Sequence, residues 1–107
     1  MKYQFKDSFL IVSIGKDLDH HQAEILQKDM NQIQRERGFR NLLFDFKNTE
    51  FMDSSGVGMI INRYKELSAL GGRVAVAGTT PQINKLFYVS GLHKIIKMYP
   101  EVEDVFA

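Results

Sequence analysis

Residues 41–77 read NLLFDFKNTEFMDSSGVGMIINRYKELSALGGRVAVA, and the periodicity of this stretch decides the fold class. Asn41 to Phe46 is a mostly apolar run of strand length, as expected for a strand buried on both faces. Val57, Ile60, Ile61, Tyr64 and Leu67 then recur at helical spacing, the apolar stripe of an amphipathic helix. Gly71 and Gly72 stop that helix, and Arg73 to Ala77 returns as a short strand of Val and Ala. Strand, helix and strand in this order make a right-handed crossover between parallel neighbours.

The alternation continues on both sides. Upstream, Tyr3 and Phe5 alternate with polar residues, Lys6-Asp7-Ser8 suits a tight turn, and Phe9 to Ile14 is apolar and β-branched, which predicts an opening hairpin. Asp19 heads the next element with Gln22 three residues on, an N-cap pair. Ala23, Leu26, Met30 and Ile33 mark one helix face, and Gly38 ends it behind Arg35 and Arg37, cations suited to a helix C-terminus. Downstream, Thr79-Thr80-Pro81-Gln82 opens a third helix with its cap ahead of proline, Ile83, Leu86 and Phe87 form its buried face, and Ser90-Gly91 closes it. Leu92 to Met98 reads as a last strand and Glu101 to Phe106 as a terminal helical turn. The expected architecture is α/β: a mixed, mostly parallel sheet of four or five strands, an N-terminal hairpin and three or four helices. No repeat or linker divides the chain, so residues 1–107 read as one domain.

Composition narrows the function. The absence of cysteine excludes disulfides, thiolate catalysis and cysteine-based metal sites. Fourteen basic residues against 13 acidic give a net charge of +1, without the basic stripe that a nucleic-acid or acidic-membrane binder needs. The apolar run at Phe9–Val12 is too short for a signal peptide or a membrane span. The expectation is a soluble cytoplasmic protein with neither nucleic acid nor membrane as a direct partner.

Catalytic and cofactor motifs fail on spacing. Gly56-Val57-Gly58 starts like a dinucleotide fingerprint, but Ile61 occupies the third glycine position. No phosphate-binding P-loop is present, and neither Ser54 nor Ser55 fits a nucleophile elbow. His20 and His21 are adjacent on a helix and point about 100° apart, so they cannot grip one metal. No cofactor, metal or catalytic residue is therefore expected. Lys85 and Lys94 read as solvated charges, and Met30, Met52 and Met59 as fillers of irregular core gaps.

What remains is Asp53-Ser54-Ser55-Gly56-Val57-Gly58, where Asp53 or Ser54 caps the helix and the glycines permit a tight entry. A helix start after a strand lies at the rim of the domain with free N–H groups. A phosphate on Ser54 would be accommodated there, since charge interactions at helix ends are favourable by about 0.3–1 kcal/mol. Phe51 and Met52 are read as a partly exposed apolar patch beside it.

These segments, in this order, resemble STAS domains, and among them the bacterial anti-sigma factor antagonists of the sporulation type. The likeness is carried by Leu18-Asp19-His20-His21 with Ala23-Glu24, and by Phe51-Met52-Asp53-Ser54-Ser55-Gly56-Val57-Gly58. Arg63-Tyr64-Lys65, Gly71-Gly72, Lys85-Leu86-Phe87, Ser90-Gly91-Leu92 and Lys94-Ile95-Ile96 continue it through about Met98. The resemblance implies a non-enzymatic protein whose unphosphorylated form binds an anti-sigma factor that is also a serine/threonine kinase, releasing its sigma factor. It implies Ser54 as the phospho-acceptor, a serine phosphatase that reverses the modification, and Asp19, His20, His21, Asp53, Ser54, Ser55 and Gly56 as the partner-binding set. A second implied role is a scaffold or accessory subunit in stress signalling or lipid transport. Lys16, where such proteins often carry glycine, and Tyr88, where an acid is common, depart from the pattern and bear on partner choice rather than on Ser54.

Overall fold

The computed structural model describes residues 1–107. The expected hairpin forms from β1 (Lys2–Lys6) and β2 (Phe9–Ser13), turning through Asp7 at φ 55°. The apolar stripe of the next segment becomes α1 (His20–Glu36), and the central run becomes β4 (Asn41–Asp45) after a two-residue strand β3 (Asp17–Leu18). A second two-residue strand, β5 (Phe51–Met52), leads into α2 (Ser54–Ala69). The chain finishes with β6 (Val74–Ala77), α3 (Pro81–Ser90), β7 (Lys97–Tyr99) and α4 (Val102–Val105).

Five strands make one sheet in the order β1-β2-β4-β6-β7, antiparallel at the hairpin and parallel elsewhere. Because successive side chains on a strand face opposite sides, the sheet has two apolar faces. Leu10, Val12, Leu42, Phe44, Val74 and Val76 meet the buried faces of α1, α2 and α3 in the main core. Phe9, Ile11, Leu43, Ala75 and Ala77 face the other way, where Val102, Val105 and Phe106 cover them. The return from α2 to β6 is close: a side chain at Gly72 would place its Cβ 1.8 Å from the Arg40 carbonyl oxygen, so only glycine fits.

Two expectations change. The predicted strand over Leu92–Met98 exists only at Lys97–Tyr99, because Leu92–Lys94 winds into a 3-10 turn. There the N–H groups of Lys94, Ile95 and Ile96 donate back to Gly91 and Leu92 carbonyls at 2.8–3.1 Å, which withdraws them from the sheet. The second change is the additional two-stranded sheet of β3 and β5, too short to show a period in the sequence.

Candidate functional site

The β3–β5 ladder places the site. Leu18 pairs with Met52 in parallel register, and the Asp53 N–H donates to the Leu18 carbonyl at 3.3 Å. Thr49, fully buried, ties the approach by donating its hydroxyl to the Gly15 carbonyl at 2.8 Å. Each short strand runs directly into a capping aspartate. Asp19 accepts from the Gln22 N–H at the start of α1, and Asp53 from the Ser55 N–H at the start of α2, both at 2.9 Å. Two helix N-termini, distant in sequence, therefore stand side by side at one end of the molecule.

Glycine is required where they meet. Gly56 is buried on Met52 and Leu18; an added Cβ would fall 2.6 Å from Met52 Cγ and 3.1 Å from Leu18 Cδ2. The absence of a side chain lets α2 start directly on the ladder. Gly56 thus contributes by close packing beneath the surface rather than by presenting a group on it. Met52 is likewise buried, contrary to the expected partial exposure, while Phe51 is 51% exposed beside Ser54. Alternation explains the split: on a two-residue strand, one side chain faces in and the other out.

On the outer surface, Ser54 is the first residue of α2 and is exposed. Ser55 is half-buried, and its Oγ lies 3.5 Å from His20 Nδ1. His20 Nε2 lies 3.0 Å from Glu24 Oε1, one turn further along α1. Donation of Nε2–H to Glu24 leaves Nδ1 as the acceptor for the Ser55 hydroxyl. Serine, histidine and carboxylate in sequence suggest a nucleophile with its base. Yet the His20 and Glu24 side chains are 75% and 57% exposed, where water competes for every hydrogen bond and the pair contributes at most about 1 kcal/mol. The chain orients Ser55 and ties α1 to α2 without forming a dry reaction site. His21 is exposed on the same helix turn.

Sequence reasoning missed this link, although the four-residue spacing of His20 and Glu24 is visible; the contact with Ser55 needs the ladder. It also passed over the structural role of Arg63, which occupies an apolar-stripe position between Ile60 and Leu67. Only 5% exposed, Arg63 donates to Asn31 Oδ1 at 2.6 Å, to the Gln27 carbonyl at 3.2 Å and to Glu66 at 3.3 Å. Burial lowers the guanidinium pKa, and the Glu66 charge opposes that shift. The clamp joins α1 to α2 well behind their N-termini and so fixes how the two capped ends sit together.

Comparison with known proteins matches the STAS domain over residues 1–105. The chain belongs to the STAS domain family. This STAS domain is 38% identical over 90 residues to the anti-sigma F factor antagonist of Paenibacillus polymyxa, covering 84% of this chain and 77% of that protein. It is similar to the Bacillus cell fate determinant SpoIIAA in the phosphorylated form, with 27% identity, a TM-score of 0.73 and coverage of 97% of this chain and 96% of that one. Its fold also matches the anti-sigma factor antagonist SpoIIAA in its unphosphorylated form, at a TM-score of 0.78, 24% identity, and 96% and 90% coverage. In this STAS domain, six of the seven residues expected to form the partner surface (Asp19, His20, His21, Asp53, Ser54 and Ser55) lie at the paired helix starts with at least part of their surface open, and Gly56 lies beneath them. No helix is long and apolar enough to cross a membrane.

Proposed function

We propose that this STAS domain is an anti-sigma factor antagonist whose binding face is switched by phosphorylation of Ser54. The observation that carries the reading is the exposed Ser54 at the first turn of α2, set beside the capped start of α1 by the β3–β5 ladder. The names of the relatives support an anti-sigma factor as the class of partner. In this proposal that partner also acts as a serine/threonine kinase, and a serine phosphatase restores the free form. The protein is substrate and ligand of these cytoplasmic enzymes and carries out no catalysis itself.

The mechanism follows from charge. Asp17, Asp19 and Asp53 already lie along the paired strands and their caps. A phosphate adds roughly −1.5 to −2 charges beside them at neutral pH. Its dianion sits favourably on the helix N-terminus, so the fold is retained while the face changes. In a complex, enclosing that dianion without a matching cation costs several kcal/mol. A loss of about 4 kcal/mol weakens binding about a thousandfold.

The test incubates the protein with ATP and a candidate anti-sigma factor kinase from the same organism, maps the phosphosite by mass spectrometry, and measures binding of two variants by calorimetry. Ser54→Ala should bind as the unmodified protein does, and Ser54→Asp at least about tenfold more weakly. Equal binding by both variants, or phosphate elsewhere than Ser54, overturns the reading.

A further inference from the structure

At the far end of α2 from Ser54, the structure has a pocket of about 380 Å³ that the switch does not use. Tyr64, which lines it, is ten residues along the helix, about 15 Å from Ser54 at 1.5 Å rise per residue. The pocket opens where α2, β6, β7 and α4 converge, and Phe9, Tyr64, Tyr99 and Val105 are among its apolar walls. Two cations line it, Arg73 and Lys97, and no carboxylate does. Neither cation belongs to an ion pair: the protein's two salt bridges are His20–Glu24 and Arg63–Glu66. Both are instead laid over aromatic rings, the Arg73 guanidinium 4.9 Å from the Phe9 ring centre and Lys97 Nζ 5.4 Å from that of Tyr99.

We propose that this pocket is a binding site for a small aromatic anion, an aryl carboxylate of one or two rings. The stacked cations are partly ordered before a ligand arrives, because their charged heads already rest over rings that line the pocket. An anion would therefore gain two charge-assisted contacts at little ordering cost, and its ring would replace water on the aromatic and aliphatic walls. The volume lies at the lower end of ligand pockets, which sets the size at one or two rings. Charge complementarity selects among occupants: a neutral aromatic gains only the walls, and a small aliphatic acid only the cations.

The test is a titration of the full-length protein, isotopically labelled, with 2-naphthoate, followed by amide chemical shifts. The controls are 2-naphthalenemethanol, which keeps the rings without the charge, and acetate, which keeps the charge without the rings. Saturable shifts at Ala75, Ile95, Lys97 and Val105 are expected with naphthoate, and binding about tenfold weaker with either control. In an Arg73→Gln/Lys97→Gln double variant the preference of naphthoate over the alcohol should vanish; a thermal melt reports whether that variant is folded. Absence of saturable shifts at millimolar naphthoate, shifts centred on Ser54, or an unchanged preference in the folded double variant would each overturn the proposal.

Discussion

At the scale of single residues, Tyr3 is a sharp case of an environment setting chemistry. Its hydroxyl, on the first strand, donates to Asp29 Oδ2 on α1 at 2.5 Å. Burial pushes the Tyr3 pKa above its ordinary value, and the hydrogen bond and the negative charge of Asp29 push it further in the same direction. A raised pKa means that the folded state holds the proton more firmly than the unfolded chain does. The stabilisation is therefore complete below about pH 10, where tyrosine in the unfolded chain is protonated. It declines as the pH rises from there toward the folded-state pKa. The slope cannot exceed about 1.4 kcal/mol per pH unit, and solvent screening of this half-buried group reduces it. Tyr3→Phe should lose about 1 kcal/mol at neutral pH through the missing hydrogen bond. It should then show a flatter alkaline decline than the wild type. Denaturant melts from pH 7 to 11 measure both, and parallel declines would show that Tyr3 does not titrate as described.

At the scale of elements, the contact between α1 and α2 rests on an ion placed among apolar neighbours. Arg63 takes an apolar-stripe position and satisfies its guanidinium on Gln27, Asn31 and Glu66. Removing a partner is then worse than removing the charge, because a buried guanidinium that loses one of its acceptors keeps its charge and its desolvation cost. Asn31→Ala should destabilise the protein by about 1–3 kcal/mol, whereas Arg63→Met, which fills similar volume with apolar atoms, should cost less. Equal losses in a urea melt would contradict that ordering. The same contrast between local pattern and long-range partner explains what could be read in advance. The stripes of α1, α2 and α3 and the opening hairpin were legible because each is a periodic signal within one segment. The last strand was not, since Leu92–Lys94 is as apolar and basic as a strand end but its N–H groups are taken by a turn after Gly91. At the site, local spacing placed Ser54 at the helix start and narrowed the cap to Asp53 or Ser54, and the structure selects Asp53. The contact between Ser55 and His20 did not, because it spans 35 residues and depends on two strands of only two residues each.

At the scale of the whole molecule, the sheet separates two surfaces with different dependencies. Three helices cover one face, and two of them, α1 and α2, carry the paired caps at their N-termini, whereas the other face depends on α4 and Phe106. Phe106 packs edge-on to Phe9 with ring centres 5.4 Å apart, and Lys6 Nζ lies 4.8 Å from the Phe106 ring centre. Burial of Phe9, Ile11 and Leu43 on that face relies on this short terminal element. Phe106→Ala removes the edge-on contact and opens a path for water onto the sheet. For a half-buried ring the expected loss is about 2 kcal/mol, below the range for a fully enclosed phenylalanine. The β3–β5 ladder and the two capped helix starts lie on the opposite side, held by the main core and the Arg63 clamp. Binding of the proposed anti-sigma factor partner by folded Phe106→Ala protein should therefore match the wild type, while the midpoint of a urea melt falls. A variant that melts normally but no longer binds would place the partner surface on the α4 face and contradict the assignment to Ser54 and its neighbours.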